Sequence, residues 1–340
     1  MASPRIVTRE IHLASRPDGE PTLDQFALVE RELPEPAPGQ ILVRNTWMSV
    51  DPYMRGRMNA GPSYNPPFRL GEVMEGSALG EVIASRDAAV PVGATVTHFQ
   101  GWREHAVLDA TAARIVDTSL APAPAYLGAL GATGLTAHVA LTEAAPVRPG
   151  DTVLISAAAG AVGSVAGQLA RKLGAATVIG TAGGPDKTAK LVSDFGFDIA
   201  VDYRAGSLHN QIADAAPEGI DVYLDNVGGD HLEAALDAAR PGGRFALVGA
   251  ISGYNATEPV PGPRNLFHAY TRELTLRGVF VPSHYHRWPE WIEKAAGWLA
   301  DGSLHTEQTV VEGLDQAPAA FLGVLRGANI GKMLVHLATR

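Results

Sequence analysis

The sequence predicts an α/β protein in which a doubly wound parallel sheet adjoins a second, β-rich domain. Three observations carry that expectation. From Asp151 onward, short β-rich runs alternate with helical patterns, as a parallel sheet covered by helices requires. The first strand of that alternation runs straight into Ser156-Ala-Ala-Ala-Gly-Ala-Val-Gly163, a small-residue turn ahead of a helix. The first 125 residues, by contrast, hold Pro/Gly-bounded β-like pieces with no long helix between them.

Taken in order, the β-like pieces of the first part are Phe26–Glu30, Ile41–Val50, Gly80–Ala84, Thr95–Phe99 and Ala106–Leu108. Ala121-Pro-Ala-Pro124 punctuates the transition, and a helix is predicted over Tyr126–Glu143. Strands are then predicted at Val153–Ser156, Thr177–Gly180, Ile199–Asp202, Val222–Asp225, Phe245–Val248 and Leu274–Val281. Helices fall between them at Val162–Leu173, Asp186–Phe195, Ser207–Ala215 and Leu232–Ala239. After Gly302 come a β-like run (Gln308–Val311), a helix (Ala317–Arg326) and a final strand (Lys332–Leu337). These last elements are expected to return to the first domain. The expected division is a first domain over residues 1–125 completed by 309–340, and a nucleotide-binding domain over 126–308.

Bulk properties narrow the function. A chain of 340 residues, 46% hydrophobic and 19% charged, has ordinary globular composition and room for two cores. A net charge of −9 gives no electrostatic reason to bind nucleic acid or an anionic membrane. Arg5, Arg9, Glu10, Arg16 and Asp18 leave no apolar h-region, and the apolar stretch around Tyr126–Ala140 is broken by Gly, Thr and His138. A cytoplasmic enzyme is expected. With no cysteine, disulfides, thiolate catalysis and cysteine-ligated zinc are excluded. His284 and His286 share a face if extended, yet no carboxylate near them in sequence completes a metal site, so no metal is expected. Trp288, Trp291 and Trp298 recur at near-helical spacing and read as core.

Gly160 and Gly163 let backbone approach a diphosphate, and the helix beyond them offers unpaired N–H groups and a positive dipole end. The first glycine of G-x-G-x-x-G is replaced by Ala158. An NAD site places Asp or Glu at the end of the second strand, but this strand ends Val178-Ile-Gly-Thr-Ala-Gly-Gly184. Lys187 follows within a turn, and Tyr203-Arg204 closes the third strand. Singly, Lys187 and Arg204 read as solvated charges; with the acid missing, a ribose 2′-phosphate is favoured, and NADP(H) over NAD(H). Asp225-Asn226-Val-Gly-Gly229 and Gly249-Ala-Ile-Ser-Gly-Tyr-Asn255 end the fourth and fifth strands, where such sheets bind ligands. Asn226 suits ribose or nicotinamide, or a plain turn. On spacing, Tyr254 reads equally as a residue beside the reactive ring and as a turn tyrosine.

Five segments then appear in order: Ser49-Val-Asp-Pro-Tyr-Met-Arg-Gly-Arg57, the Ala-Ala-Ala-Gly-Ala-Val-Gly-Ser run to Ser164, Tyr223-Leu-Asp-Asn-Val-Gly-Gly229, Gly249 to Asn255, and Asn329-Ile-Gly-Lys332. Together they resemble the zinc-independent medium-chain dehydrogenases/reductases typified by prostaglandin reductase, plant alkenal double-bond reductases and curcumin reductase. The resemblance spans essentially the whole chain and implies a GroES-like β domain beside a Rossmann domain. It implies that Ala159, Gly160, Ala161, Val162 and Gly163 bind the diphosphate, with Gly184, Lys187 and Tyr203 at the 2′-phosphate. Asn226, Gly249, Ala250, Ile251, Ser252, Tyr254, Val279, Phe280, Val281 and Asn329 would surround ribose and nicotinamide. Tyr53 and Tyr254 would line the substrate cleft, and a homodimer is implied, with edge strand Leu274–Val281 as its interface. Relatives often carry lysine where Arg204 stands, which preserves the charge.

The expected reaction is NADPH-dependent reduction of the carbon–carbon double bond of an α,β-unsaturated ketone or aldehyde. Hydride goes from nicotinamide C4 to the β-carbon, and charge develops on the carbonyl oxygen. Without zinc that charge needs hydrogen-bond donors worth roughly 3–4 kcal/mol each. The Tyr254 hydroxyl and the cofactor ribose 2′-hydroxyl are the candidates, and Tyr254 or water protonates the α-carbon. Three other readings stand beside it: quinone reduction, secondary-alcohol oxidation, and a non-catalytic NADPH-binding structural or regulatory protein. Substrate size is expected to depend on the loops at Asn59–Phe68 and Tyr254–His268.

Overall fold

The computed structural model describes residues 6–61 and 65–337. Arg5 and positions 62–64 of the expected substrate loop lie outside the described residues. Its contacts divide the chain into a first unit (Met1–Leu127, Gln308–Asn329 and Met333–Arg340) and a second (Gly128–Glu307 and Ile330–Lys332).

The chain opens with β1 (Val7–Leu13) and β2 (Phe26–Glu32), paired antiparallel with Leu13 opposite Phe26. Next come β3 (Gln40–Ser49), α1 (Met54–Arg57), β4 (Ala78–Ser85), β5 (Thr95–His98), β6 (His105–Asp109) and β7 (Arg114–Ile115). The second unit runs through α2 (Ala132–Val139), β8 (Thr152–Ile155), α3 (Gly163–Lys172), β9 (Thr177–Ala182), α4 (Pro185–Ser193), β10 (Ile199–Asp202) and α5 (Leu208–Ala215). It continues with β11 (Ile220–Asp225), α6 (Gly229–Ala238), β12 (Ala239–Leu247), α7 (Phe267–Thr271), β13 (Thr275–Gly278) and α8 (Trp288–Ala300). β14 (Gln308–Glu312), α9 (Ala317–Leu325) and β15 (Lys332–His336) close the described chain.

In the first unit β3 is the hub, hydrogen-bonded to β4, β6 and β15. Its early residues Ile41 and Val43 enter one core with Val82, Val96 and Leu108. Its later residue Met48, with Val50 just beyond the strand, enters another with Ile11, Met54, Trp102 and Phe321. Buried Ile41, Val43 and Asn45 are odd positions and buried Met48 an even one, and between them the pairing with β4 shifts at Asn45/Trp47. Asn45, left inside, is satisfied by side-chain bonds to the carbonyls of Gln100 (3.1 Å) and Arg103 (2.9 Å) and by His98 at 2.8 Å. Because β15 pairs with β3 (Leu334 opposite Ser49), this unit is discontinuous in sequence.

The second unit is a six-stranded sheet in the order β10-β9-β8-β11-β12-β13, and its neighbouring strands are parallel. This is the doubly wound order, and its switch point lies between β8 and β11, where carboxyl ends leave a crevice for ligands. Leu154, Ile179, Val201, Tyr223 and Phe245 pack with Ile212 and Leu236 in its core.

One expectation is corrected. The helix predicted over Tyr126–Glu143 is broken: a 3-10 turn spans Ala123–Leu127, α2 starts only at Ala132, and a π segment follows over Ala140–Ala144. Gly134 lies inside α2, where a side chain would collide with the Ala129 carbonyl and crowd the Trp291 ring nitrogen at 2.8 Å. Strand β13 is also shorter than the predicted Leu274–Val281.

Candidate functional site

The expected diphosphate turn sits at the carboxyl end of β8. Ala157 adopts φ +47°, and the Ala158 N–H bonds to the Thr181 carbonyl at 2.9 Å, pinning the turn to β9. A Cβ on Gly163 would lie 2.5 Å from the Ala157 carbonyl and 2.6 Å from the Ala158 Cα, so only glycine fits. Gly160 is less crowded, its added Cβ meeting only the Ala157 carbonyl at 3.2 Å. Ala158, in place of the usual glycine, is itself packed away, with its Cβ 2.7 Å from where one on Gly180 would fall. α3 therefore starts at Gly163, with the Ser164 N–H bonded to the Gly160 carbonyl at 3.0 Å, directly after Ala159–Val162. Gly331, from the segment that returns after α9, donates its N–H to the Ala159 carbonyl at 2.8 Å and braces the turn from outside.

At the end of β9, Gly183 and Gly184 lead into α4, and a Cβ on Gly183 would stand 2.7 Å from the Tyr203 hydroxyl and 2.8 Å from Arg204 Nε. Lys187, half-buried on the first turn of α4, has its ammonium held below the usual lysine range, first by burial and then by the Arg204 charge. The Tyr203 hydroxyl and the Arg204 guanidinium thus meet beside Gly183, with the Arg204 guanidinium 5.7 Å from the Tyr203 ring centroid, and Lys187 feels the Arg204 charge. Two residues were missed in sequence. Asp202 accepts the N–H groups of Gly184 (2.9 Å) and Arg204 (3.0 Å), and these bonds hold its carboxyl below the usual range. It spends its charge on the turn's backbone. His231 packs edge-on against Tyr203, ring centroids 5.3 Å apart. An acid closing a strand next to a Gly-Gly turn was the available signal for Asp202; nothing in the sequence pointed to His231.

At the end of β11, Asp225 is buried and its Oδ1 accepts from the Tyr223 hydroxyl (2.9 Å), Ser156 Oγ (3.2 Å) and the N–H groups of Val227 (2.9 Å) and Gly228 (2.8 Å). Burial, then the Asp225 charge, pushes the Tyr223 hydroxyl well above the ordinary phenol range. Asn226 donates its N–H to Ser156 Oγ (2.8 Å) and its side-chain amide to the Ser156 carbonyl (2.7 Å), so β8 and β11 are laced together at the switch point. The same loop receives the fifth strand's end: Gly249 N–H bonds to the Asp225 carbonyl (3.0 Å), Ile251 N–H to Asn226 (3.3 Å) and Ser252 N–H to Val227 (3.1 Å). Tyr254 turns its hydroxyl back to the Ala250 N–H at 3.4 Å. Burial pushes that hydroxyl up, and the Ala250 bond works weakly against it. Val279 is fixed to the Leu247 carbonyl at 2.9 Å, so Val279, Phe280 and Val281 follow β13 at the same sheet edge. The second unit therefore gathers every expected cofactor residue except Asn329, which belongs to the first unit.

Tyr53 also belongs to the first unit, immediately before α1, with its ring stacked on Phe99 at 6.5 Å and 19°. The histidine pair differs from expectation: Glu143 does bring a carboxylate, 3.4 Å from His284 Nδ1. Arg287 binds the same carboxylate, so its charge is answered by a guanidinium. Asp194, His305 and Glu307 cluster at metal-like spacing, but the Lys190 ammonium bonds both carboxylates, at 3.0 and 2.7 Å. Of the three tryptophans expected in the core only Trp291 is fully buried, with Trp288 and Trp298 half-buried; Trp288 and Trp291 donate their ring N–H groups to the carbonyls of Leu130 (2.7 Å) and Ala129 (2.8 Å).

Comparison with known proteins bears on the same regions. Residues 9–116 match the family described as the N-terminal domain of oxidoreductase, and residues 161–297 the one described as zinc-binding dehydrogenase. This chain has no cysteine with which to hold a thiolate-ligated zinc. The NADPH-dependent curcumin reductase of Escherichia coli is 35% identical over 96% of this chain and 96% of that protein. Prostaglandin reductase 1 of Bos taurus is 38% identical over 93% of this chain and 95% of its own length. The structure of CurA from Vibrio vulnificus in complex with NADPH superposes with a TM-score of 0.92 at 37% identity, covering 98% of this chain and 100% of that one.

Proposed function

The chain belongs to the NADP-dependent, zinc-independent medium-chain dehydrogenases/reductases, and from that premise we propose that it reduces the carbon–carbon double bond of α,β-unsaturated ketones or aldehydes. The observation that carries the reading is the Tyr254 hydroxyl. Burial keeps it protonated across the neutral range, and it lies on the loop that carries Gly249 and bonds to Asn226. NADP(H) fits the residues present: Gly163 lets α3 begin tight against the Ala157–Ala158 backbone at the end of β8, and Lys187 and Arg204 offer charge to a 2′-phosphate. When bound, NADPH supplies the hydride.

The chain's own residues do the rest. Ala159–Gly163 and the start of α3 hold the diphosphate, and Gly184, Lys187 and Tyr203 the 2′-phosphate. Asn226, Gly249–Ser252, Val279–Val281 and Asn329 orient the ribose and nicotinamide. As the β-carbon is reduced, negative charge gathers on the substrate's carbonyl oxygen, and the Tyr254 O–H donates to it. A phenol held above its ordinary range is a suitable donor and a poor base at neutral pH. Tyr53, by the family resemblance, positions the substrate. We further infer a cytoplasmic homodimer. No helix among the described residues is long and apolar enough to cross a membrane. β13 ends its sheet, and Leu266, Phe267, Tyr270, Phe280 and Tyr285 are exposed nearby in sequence.

The test is NADPH oxidation followed at saturating cofactor against a graded panel of enones, enals, quinones and saturated ketones. Turnover with enones and enals and little with saturated ketones is expected. Turnover confined to quinones overturns the substrate assignment, and tight NADPH binding with no turnover on the panel indicates a non-catalytic protein. Tyr254→Phe is expected to lower kcat about 100-fold; unchanged kcat and KM would remove Tyr254 from the reaction.

A further inference from the structure

Arg57 is 4% exposed, a buried cation in the first unit. Its Nη2 pairs with Glu75 at 2.8 Å and its Nε donates to the Pro66 carbonyl at 2.8 Å. Its Nη1 is buried with no hydrogen-bond partner among the described residues. The guanidinium carbon lies over the Phe68 ring, 4.1 Å from its centroid, and over the Phe99 ring at 5.7 Å. Phe99, in turn, carries the Tyr53 ring. Phe68, Arg57, Phe99 and Tyr53 thus form a chain of contacts with a cation near its centre.

Holding the loop does not by itself require Arg57. Arg16 already spans its ends, donating Nη1 to the Met58 carbonyl (2.7 Å) and Nη2 to the Phe68 carbonyl (3.0 Å). Phe68 N–H bonds to the Arg57 carbonyl at 2.7 Å, a contact any residue would make. What only the Arg57 side chain supplies is the planar charge against both rings, kept despite the cost of burying it. We propose that Arg57 is a positioning residue: through Phe99 it fixes the Tyr53 ring and so sets the KM for the unsaturated substrate without touching it. The inference rests on the assignment of Tyr53 to substrate made above.

A double-mutant cycle on the full chain, with NADPH and benzylideneacetone, tests it. Arg57→Gln is expected to raise KM about tenfold, while the Kd for NADPH stays within about twofold of the parent. Phe99→Leu, which removes no charge, is expected to raise KM in the same direction. In a Tyr53→Leu background neither change should raise KM further. Additive effects in that background, or an NADPH Kd that moves with KM, overturn the inference while leaving Tyr53 in place. A Tyr53→Leu enzyme with parental KM and kcat overturns the Tyr53 assignment first, and this inference with it. Should Arg57→Gln not fold, Phe99→Leu completes the cycle alone, and additivity there is equally decisive against it.

Discussion

The two ends of the expected cofactor site are built on opposite principles. At the end of β11 the polar groups satisfy one another: Asp225 accepts four hydrogen bonds on one oxygen, and Ser156 and Asn226 bond across the strands. At the ends of β9 and β10 like charges oppose one another, with burial first and the Arg204 charge second holding the Lys187 ammonium down. The first region is completed by bonds within the fold, whereas the second sets like charges near one another. Orientation of a reacting ring needs a template that does not move, whereas selection of a phosphorylated cofactor needs charge that only the correct ligand relieves.

The largest test of that contrast is Asp225→Ala. It strands the Tyr223 and Ser156 hydroxyls and two N–H groups, and is expected to cost about 3–5 kcal/mol of stability in urea unfolding. A parental midpoint would mean that the network is ornamental. Lys187→Ala should act in the reverse sense. Relieving a repulsion costs little stability, but the Kd for NADPH is expected to rise roughly 30-fold and that for NADH to stay level. Fluorescence titration with both cofactors decides it, and an equal rise for both would refute selection by charge.

A smaller test asks whether a closed network elsewhere behaves as the Asp225 one does. His98 donates from Nε2 to Asn45 and accepts the Gln100 N–H on Nδ1, and its pKa is held down to about 3, first by burial and then by the Arg103 charge. Below the ordinary value of 6.5 the unfolded chain takes up a proton that the folded chain refuses. Its contribution is therefore complete above pH 6.5 and lost as pH falls toward 3, at about 1.4 kcal/mol per pH unit. His98→Gln should flatten that part of the stability–pH curve, and an unaltered slope would show that His98 does not set it.

Legibility in the sequence followed the range of the interactions. The α/β alternation, β8, the glycine turn and α3 are written locally, in periodicity and steric need, and could be read there. β1 could not: its inward positions include Thr8 and Glu10, buried polar residues, so the apolar alternation is interrupted. The 126–143 helix was misread because its continuous apolar stretch conceals the break between the 3-10 turn ending at Leu127 and α2 starting at Ala132. Within the candidate site, Lys187, Tyr203 and Asn226 were visible as strand-end residues. Asp202, His231 and the Asp225 network were not. Their partners lie on other strands and helices, and only the sheet order brings them together.

The Gly331 brace on Ala159 has a consequence for how the protein is made. A ribosome delivers β8, the glycine turn and α3 long before it delivers Gly331, so the emerging nucleotide-binding unit waits with its phosphate turn unbraced. α9 must be translated before that brace arrives. Assembly of the turn is thereby timed to late synthesis, and a nascent chain stalled ahead of Gly331 would expose strands and helices already in place around a turn still missing its last contact.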